Sequence, residues 1–524
     1  MTKPVKPVDF DWSIGLKITQ KTHWLMSLQE LTGIGFDIAK AISLGLRILD
    51  DQAHIEKTIL PLLPGRPLKR SERGNYKLPA KPFKKDGSFS ELFLRFLKKH
   101  QGEVLPGNQE AKFFGKIYKI ESNQQIELDL PMDLSNQSDL KQWFLLLGWQ
   151  PLYWNTVKDE NGKPKRDPET GKIIRTTPKI QENGRICPNL ELLKGDLVKP
   201  VLTWLSLRNR YAVLNGWIHH DRLLIDNRLP AGSSGLANTG RQKHTCVVNV
   251  PKAEAGVTLG REFRSLFIAR PGAVLVGYDA AALETRVEAH YTWKFDNGEY
   301  ARELLEGDVH SKNARLFYER ELLDLGIDLE SVTKDDPRFK PFRSKSKNAK
   351  YALTYGCSAQ RLGSTLGVSE DRSRILYEEF WTVNVALAKL KKTVEQFWES
   401  TGEKIWIRGI DKRKIFTRSK SSLINALFQS AGACVMDLSG CYMDKVLGGI
   451  KLDQDKLPVY NYQGFEIRRV GYFHDEYIFE CPPDIAEEVG KLGVESIEKA
   501  GRYFDFKVPL TGEYKIGGDW SQIH

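Results

Sequence analysis

The segment RRVGYFHDEYIFECP, residues 468–482, is the most informative stretch of this 524-residue chain. Apolar, aromatic and β-branched residues flank His474, Asp475 and Glu476 on both sides, and this pattern predicts a β-hairpin that carries two carboxylates at its tip. Buried strands on both sides would direct a carboxylate into a site rather than into bulk water. An acidic surface turn is the alternative interpretation, and the segment alone is compatible with both.

A second carboxylate is predicted at the end of another strand. The stretch AVLVGYDA, residues 273–280, has the length and β-branched composition of a strand, and LETRVEAHYTWKF, residues 283–295, follows with a helical composition. Asp279 therefore lies where the predicted strand ends. Taken alone, this residue is better explained as a helix-capping aspartate than as a catalytic one.

The stretch RSKSKNAKYALTYG, residues 343–356, predicts a helix with a row of functional side chains. Two cations and two aromatic rings recur at every fourth position: Arg343, Lys347, Tyr351 and Tyr355. Because four residues turn a helix by about 400°, these side chains form one slowly wrapping stripe. The cations can bind phosphates while a ring packs against a sugar and a base. A basic surface helix whose rings face the core is the alternative.

Two strand-end carboxylates and a phosphate-binding helix are the parts that a two-metal phosphoryl transferase needs. Metal ions about 3.5 to 4 Å apart must be held by carboxylates that converge from separate elements. Mg²⁺ keeps several waters, and substrate phosphates complete its coordination shell. Asp279 and Asp475 are the candidates for these carboxylates, and positioning and charge stabilisation would carry the rate.

Size and composition exclude several classes of protein. A single hydrophobic core stops growing near about 250 to 300 residues, so 524 residues predict several subdomains. The formal charge of +11 suits a polyanionic partner such as nucleic acid, although it is also common on ordinary surfaces.

The six cysteines are scattered without a CxxC pair, which argues against structural zinc and disulfides and favours a reducing cytosol. No signal peptide and no apolar run of about 20 residues is present, so we expect no membrane span.

The N-terminal third alternates helical and polar stretches. Apolar spacing predicts two helices between residues 19 and 63, around a turn at Gly33 and Gly35. Between Arg66 and Lys99, eleven Lys and Arg face three Asp and Glu, a local net charge of +8. This composition predicts an exposed, partly extended insertion, for which a solvated loop and a binding role are equally good interpretations.

The three segments, in this order, resemble motifs A, B and C of the family A DNA polymerases, above all those of podovirus-type phage replication. Six further segments look like family segments in the expected order: residues 31–41, 237–251, 298–313, 406–419, 421–433 and 511–524. The resemblance spans nearly the whole chain and is weakest over residues 64–128. As an ordered set, these segments are highly specific.

The resemblance implies an α+β right-hand polymerase fold, with a palm built on an antiparallel sheet and with helical fingers and a helical thumb. The implied parts are a palm lead-in at 1–36, a thumb at 37–63 and 129–216, a basic thumb insertion at 64–128, palm at 217–300, fingers at 301–415 with the motif B helix at 341–356, and palm again at 416–524.

The activity implied is template-directed addition of deoxynucleotides to a primer 3′ end. By resemblance, Asp279 and Asp475 would hold two Mg²⁺ ions, with Mn²⁺ as a substitute. The backbone carbonyl of Ala280 would ligate the nucleotide-bound ion. Glu476, the fourth catalytic candidate beside the two aspartates and Lys347, would shape the site.

Nucleotide contacts are implied along the motif B helix. Arg343, Lys347 and His310 match contacts to the triphosphate, and Lys347 is the candidate proton donor to the leaving pyrophosphate. Glu284 matches a steric gate that, with the ring of Tyr351, leaves no room for a ribose 2′-hydroxyl. Because position 351 is Tyr rather than Phe, its hydroxyl could replace the missing 3′-hydroxyl of a dideoxynucleotide, and we expect efficient incorporation of such chain terminators.

Contacts to the primer and template are implied for six residues: Arg241, Tyr355, Gly356, Asn425, Gln429 and His474. Minor-groove acceptors are shared by correct base pairs, so such contacts can check shape without reading sequence. The chain also departs from the family pattern. Residues 280–282 are alanines where Tyr-Ser-Gln is usual, and Ser421 stands where many relatives have Arg, so the side-chain contacts that relatives make at these positions are not expected here.

Further expectations concern partners. A thumb-like pattern begins within the first few dozen residues, so we expect no exonuclease domain and no 3′ to 5′ hydrolysis, for which Asp9 and Asp11 are the N-terminal acids to test. Proofreading could come from a separate chain, or the sequence could be a fragment. The insertion at 64–128 would either grip DNA or dock a processivity factor. We expect a monomer in the cytoplasm, that of a bacterial host if a phage encodes it.

Two other functions are compatible with parts of this pattern. A single-subunit RNA polymerase shares the palm and the striped helix, but Glu284 argues against it. A non-catalytic nucleic-acid-binding module would not require Asp279, Lys347 and Asp475 together.

Overall fold

The structure is a computed structural model that describes residues 13–523 apart from 70, 128, 161, 163, 171–172, 183–184, 255 and 403. Asp9 and Asp11 lie outside the described residues. The chain divides into a first unit, Met1–Ala41 with Gly216–His524, and a second unit, Ile42–Asn215.

Helices account for most of the regular structure. In chain order they are α1 (Ser13–Thr32), α2 (Ile38–Ile59), α3 (Glu91–Lys99), α4 (Gln137–Leu146), α5 (Pro188–Glu191), α6 (Val198–Ile218), α7 (Leu223–Asp226), α8 (Gly260–Arg264), α9 (Leu283–Thr292), α10 (Glu299–Glu306), α11 (Val309–Asp324), α12 (Lys340–Thr354), α13 (Ala359–Leu366), α14 (Glu370–Val383), α15 (Val385–Ser400), α16 (Leu423–Val446) and α17 (Pro483–Tyr503). Within the described part of the chain, no helix has both the length and the apolar composition needed to cross a membrane.

The strands are mostly short. In chain order they are β1 (Ile34–Phe36), β2 (Arg66–Pro67), β3 (Glu103–Val104), β4 (Glu110–Phe113), β5 (Lys116–Lys119), β6 (Asp129–Leu130), β7 (Trp154–Thr156), β8 (Arg175–Pro178), β9 (Gln181–Glu182), β10 (Arg185–Ile186), β11 (Arg228–Leu229), β12 (Ser233–Leu236), β13 (Gln242–His244), β14 (Phe267–Ile268), β15 (Val274–Ala280), β16 (Trp406–Arg408), β17 (Lys414–Phe416), β18 (Lys451–Leu452), β19 (Pro458–Tyr462), β20 (Phe465–Phe473), β21 (Glu476–Cys481) and β22 (Gly512–Gly517).

A six-stranded sheet lies at the centre of the first unit, in the strand order β18-β19-β20-β21-β15-β22. Every neighbouring pair is antiparallel. Phe473 pairs with Glu476, so His474 and Asp475 form a two-residue turn between β20 and β21. His474 has a φ of 62°, in the left-handed region that two-residue hairpin turns require. The predicted hairpin, the predicted strand ending at Asp279 and the antiparallel α+β architecture are confirmed. Of the two carboxylates expected at the hairpin tip, only Asp475 lies in the turn, because Glu476 already pairs with Phe473 as the first residue of β21.

An aromatic stack fixes the two strands that carry the carboxylates. Tyr278 of β15 stacks on Tyr477 of β21, with ring centroids 5.3 Å apart, and Tyr472 of β20 lies 4.1 Å from Tyr477. Helix α17 packs over this stack at Gly493, where a Cβ atom would lie 2.4 Å from a ring carbon of Tyr278. Only glycine allows this approach, so the helix packs directly against the strand that carries Asp279.

The second unit contains the basic segment between residues 64 and 128, which differs from the expected partly extended chain. Helix α3 and the three-stranded sheet β3-β4-β5 enclose a small core that includes Phe93 and Phe113. These aromatic residues supply buried surface that the count of charges does not reveal. Two of the cations are also paired internally, since Arg66 Nε and Lys69 Nζ lie 2.9 and 2.8 Å from the buried carboxylate of Asp139.

Candidate active site

The two predicted metal-binding aspartates lie at the same end of the central sheet. Asp279 pairs with Glu476 across β15 and β21, and the backbone N–H of Ala280 donates to the carbonyl of Asp475 at 3.3 Å. Asp279 is half-buried and Asp475 is exposed. We call Asp279 and Asp475 the acidic edge. Strand register alone brings these two residues together, although 195 positions separate them in the chain.

Glu476 is held differently from its neighbour Asp475. Its side chain is buried, and one oxygen accepts a hydrogen bond from the indole N–H of Trp520 at 3.0 Å. Arg264 stacks on the ring of Trp520, 4.6 Å from its centroid, and places Nη1 4.0 Å from the second carboxylate oxygen. Burial lowers the pKa of Arg264, while the nearby charge of Glu476 acts in the opposite direction. Glu476 is therefore anchored by the protein itself.

The acidic edge is chemically suited to Mg²⁺. Among the described residues, no group of three or more His, Cys, Asp or Glu side chains could hold a metal ion. Two carboxylates and the nearby backbone carbonyl of Ala280 are all oxygen donors, which Mg²⁺ prefers. Mg²⁺ usually takes one or two protein carboxylates and fills its remaining positions with water and substrate phosphate. The residues present fit a metal that is bound together with its substrate.

Arg343, the first cation of the predicted stripe on α12, has an internal partner. Its Nε and Nη2 atoms bind the carboxylate of Asp308 at 2.9 and 3.0 Å. Asp308 also caps α11, since its carboxylate accepts from the backbone N–H of Ser311 at 3.1 Å. Burial alone would raise the pKa of Asp308, but its hydrogen bonds to Arg343 and Ser311 lower it well below the ordinary range. Lys347, one turn further along α12, is exposed.

His310 lies beside the same helix. Its ring centroid is 6.0 Å from that of Tyr351, which in turn lies 6.3 Å from that of Tyr355. Desolvation, together with the charges of Lys350, Arg343 and Lys347, lowers the pKa of His310 to about 4. The imidazole is therefore neutral at pH 7. Helix α12 ends at Thr354, two residues before the predicted end, and Tyr355 forms its C-cap.

The predicted steric gate is tied to the end of α12. The hydroxyl of Tyr355 donates to one carboxylate oxygen of Glu284, and Arg241 Nη2 lies 3.3 Å from the other. Burial, and then the hydrogen bond to Glu284, raise the pKa of Tyr355 well above its ordinary value. Arg241 also acts on the hairpin tip, because desolvation and then the charge of Arg241 lower the pKa of His474. The structure thus brings the gate and the hairpin tip to one place.

Comparisons with known proteins agree with this geometry. The model of DNA polymerase family A matches residues 231–522. The chain belongs to DNA polymerase family A. This confirms the family and the enzyme class predicted from the three motifs.

Relatives of this family A polymerase include DNA-directed DNA polymerases of Enterobacteria phage T3 and Escherichia phage T7. Each is 24% identical over an alignment of 551 positions, which covers 98% of this chain and 71% of the relative. The thermostable DNA polymerase I of Thermus aquaticus is 26% identical over 276 residues, which cover 52% of this chain and 30% of the relative. The predicted resemblance to phage enzymes of this family is confirmed.

The right-hand fold is also supported by a solved structure. The POL domain of Pol1 from M. smegmatis, solved in complex with DNA primer-template and dNTP, superimposes with a TM-score of 0.61. The match covers 97% of this chain and 70% of that one, at 16% sequence identity. At this identity the match shows that the two chains share a fold.

Gly356 lies where the polymerase chain turns away from α12. Its φ is 79°, and a Cβ atom there would lie 1.8 Å from the backbone carbonyl oxygen of Ser421. The glycine is therefore required both by backbone conformation and by close approach. Asn425 and Gln429 lie one turn apart on α16, which begins two residues after Ser421. Asn425 Oδ1 is buried and has no hydrogen-bond partner among the described residues.

Three residues at this site were missed by sequence reasoning. Trp520 and Arg264 anchor Glu476, and the ring of His244 lies 5.4 Å from that of His474. Desolvation, and then the nearby His474, lower the pKa of His244 to about 4. Trp520 and His244 belong to segments that resemble the family, so their positions in the motifs were the available signal. Arg264 had no such signal, because its partners come from distant parts of the chain.

Proposed function

We propose that this family A polymerase adds deoxynucleotides to the 3′ end of a primer paired with a DNA template, by phosphoryl transfer that uses two divalent metal ions. The observation that carries this proposal is the pairing of β15 with the β20–β21 hairpin, which places Asp279 opposite Glu476 and next to Asp475. If the fold had placed these two aspartates far apart, the proposal would have no structural support.

The acidic edge would hold the metal ions through the carboxylates of Asp279 and Asp475, with the carbonyl of Ala280 as a further ligand. When bound, two Mg²⁺ ions would stabilise the charge on the attacking and leaving oxygens. Glu476, anchored by Trp520, would keep the strand ends in place behind the two aspartates.

The triphosphate would bind along the start of α12. Arg343 would use its remaining guanidinium nitrogen, because Nε and Nη2 are engaged by Asp308. Lys347 is exposed and would reach the phosphates and donate a proton to the leaving pyrophosphate. His310, whose pKa is lowered by burial and by the neighbouring cations, would contribute a hydrogen bond to a phosphate oxygen. Glu284 and Tyr351 would exclude a ribose 2′-hydroxyl.

The primer and template would contact the residues around the gate and α16. His474 is part of the hairpin tip, and Arg241 lies near enough for its charge to lower the pKa of His474. The primer end must reach the acidic edge at this tip. Tyr355 and Gly356 would face the template, and Asn425 has a buried oxygen that could accept a hydrogen bond from the duplex. Such contacts would test the shape of a base pair and would not depend on sequence.

A primer-extension assay with Mg²⁺ tests this proposal. We expect the purified chain to extend a labelled primer with deoxynucleotides and to prefer them strongly over ribonucleotides. An Asp279→Asn variant should bind the same primer-template and fail to extend it. DNA binding without extension by the parent protein would instead favour a non-catalytic binding module, and preferential use of ribonucleotides would favour an RNA polymerase.

The proposal includes the predicted lack of 3′ to 5′ exonuclease activity. With a mismatched 3′ end and no nucleotides, we expect the labelled primer to keep its length. Release of mononucleotides by the pure chain, abolished by replacing Asp9 or Asp11 with Asn, would contradict this part of the proposal and leave the polymerase activity intact.

We also propose that residues 64–128 increase the length of DNA made in each binding event. Most cations of this segment, including Lys77, Lys81 and Lys84, are exposed on a folded subdomain. Deleting the segment should shorten products while sparing single-nucleotide addition. A loss seen with the purified chain alone would show direct contact with DNA, and a loss seen only with an added protein would show a docking role. We expect the enzyme to be monomeric and to act in the cytoplasm, that of a bacterial host if a phage encodes it.

A further inference from the structure

Two side-chain contacts, which we call the outer and the inner rung, join α9 to α12 and its C-cap residue. The outer rung is the hydrogen bond from Tyr355 to Glu284. The inner rung is an ion pair between Lys350 Nζ and Glu288 Oε2, 2.6 Å apart. Glu288 follows Glu284 by one helical turn, whereas Lys350 precedes Tyr355 by five residues, so the two helices run antiparallel at these contacts.

The inner rung is shielded from solvent. The side chains of Lys350 and Glu288 are 2% and 4% exposed, whereas that of Glu284 in the outer rung is 33% exposed. The second oxygen of Glu288 accepts a hydrogen bond from the hydroxyl of Tyr300 at 2.8 Å. Breaking a buried ion pair leaves an uncompensated charge in a medium that solvates it poorly, and this costs far more than breaking an exposed pair.

A buried ion pair adds little to the free energy of unfolding, but it can fix the alignment of the two helices that it joins. Apolar residues of the same volume often replace such a pair without loss of stability, and in some proteins it is the buried polar or ionic pair that specifies one alignment of two helices. Lys350 and Glu288 can pair only when α9 and α12 stand in one register. A shift by one residue would turn α12 by about 100° and leave both charges unpaired.

The two residues of the proposed sugar-selecting wall are each close to one rung, since Glu284 is part of the outer rung and Tyr351 lies next to Lys350 of the inner rung. Tyr351 directly follows Lys350, whose Nζ is 5.7 Å from the ring centroid of Tyr351. Glu284 precedes Glu288 by one turn on α9. The charge of Lys350 also reaches the phosphate side of α12, because after desolvation it is the largest contribution to the low pKa of His310.

We propose that the buried Lys350–Glu288 pair, with Tyr300, sets the spacing between Glu284 and Tyr351 and thereby the discrimination against ribonucleotides. Lys350, Glu288 and Tyr300 are positioning residues, which act through the gate without touching the nucleotide. This inference rests on the proposed polymerase function and deepens it.

The test compares three versions of the pair. The double variant Glu288→Leu/Lys350→Met replaces the ion pair with apolar side chains of similar volume, and Glu288→Lys/Lys350→Glu exchanges the charges while keeping a pair. Tyr300→Phe removes only the hydroxyl donor. The control is Glu303→Leu/Lys312→Met, which removes an ion pair 2.8 Å long whose side chains are 31% and 40% exposed.

The measurements are the thermal midpoint of unfolding and the ratio of kcat/KM for a deoxynucleotide to that for the matching ribonucleotide. In the apolar double variant we expect the midpoint to stay close to that of the parent and the ratio to fall about tenfold. The charge-exchanged variant should recover at least half of the lost ratio on a logarithmic scale. Tyr300→Phe should lower the ratio two- to threefold, and the control variant should have the same ratio as the parent.

Several results would overturn the inference. One is an unchanged ratio in the folded apolar variant, and another is an equal fall in the control. If the apolar variant does not fold, an unchanged ratio in Tyr300→Phe has the same consequence. Failure of the proposed function would look different, because the parent chain would then insert no deoxynucleotide at all.

Discussion

The acidic edge and the cationic start of α12 serve the same proposed reaction, but they are built in different ways. Asp279 and Asp475 are placed by backbone pairing between β15, β20 and β21, which leaves little freedom to move. Arg343 and Lys347 are long side chains on one helix, and Arg343 already has a partner in Asp308. The first region is set by strand register, and the second depends on side chains that must exchange one partner for another.

This difference predicts how each region responds to substitution. A carboxylate at a fixed strand end has no neighbour that can take its place, so its loss should abolish the reaction. A cation on a helix acts beside other cations, so the loss of one should lower the rate or the affinity without abolishing them. The predictions below test this contrast, beginning with the largest effect.

Asp475→Asn should lower the rate of nucleotide insertion about a thousandfold or more, because a neutral amide binds a divalent ion poorly. Asn tolerates the same turn conformations as Asp, so the hairpin should fold normally. Single-turnover insertion and gel-shift binding of primer-template measure the two effects separately. The matched control is Glu476→Gln, whose side chain is anchored by Trp520, and we expect a loss of only about tenfold. Equal losses of rate in both variants would contradict the proposed difference between Asp475 and Glu476.

Lys347→Ala should lower kcat about a hundredfold, which corresponds to about 2.7 kcal/mol of transition-state stabilisation. The reason is the loss of both a phosphate contact and the proposed proton donor. Lys345→Ala removes another exposed cation from the same helix two residues earlier, where the side chain points elsewhere. Steady-state kinetics with saturating primer-template compares them. A loss of similar size in Lys345→Ala would mean that only overall charge matters.

Tyr351→Phe should reduce incorporation of a dideoxynucleotide relative to the deoxynucleotide by about tenfold, roughly the worth of one charge-assisted hydrogen bond. The lost hydroxyl is the group expected to replace the missing 3′-hydroxyl. Competition between the two nucleotides in one reaction measures the ratio directly. Tyr355→Phe, which removes a hydroxyl bound to Glu284, should leave that ratio unchanged. Equal incorporation by Tyr351→Phe and the parent would refute the prediction.

Asp308→Asn should raise the KM for the nucleotide by about three- to fivefold, because a neutral amide orients a guanidinium less firmly than a bidentate carboxylate does. Asn remains a good N-cap, so α11 should keep its start at Val309. Asp336→Asn, which removes the carboxylate partner of the exposed Arg338, is the control and should leave KM unchanged. A lower KM in Asp308→Asn would show that Asp308 competes with the triphosphate instead of orienting Arg343.

Much of the site could be predicted because it depends on short-range patterns. The hairpin at His474 and Asp475, the strand ending at Asp279 and the stripe on α12 follow from local composition and periodicity. The basic segment at 64–128 was predicted less well, since its charges hid a small aromatic core around Phe93 and Phe113. The resemblance to the family is also weakest over this segment. Neither the composition nor the resemblance therefore described the fold of the segment.

The amino-acid sequence by itself determined the family, the two carboxylate-bearing strand ends and the striped helix, because each depends on neighbours within a few residues. Only the tertiary structure decided what lies between these elements. The anchoring of Glu476 by Trp520 and Arg264, the pairing of Arg343 with Asp308 and the buried Lys350–Glu288 pair join residues that are distant in the chain. Such pairs arise from the packing of helices and strands against one another, and local periodicity carries no information about which charges that packing will bring together.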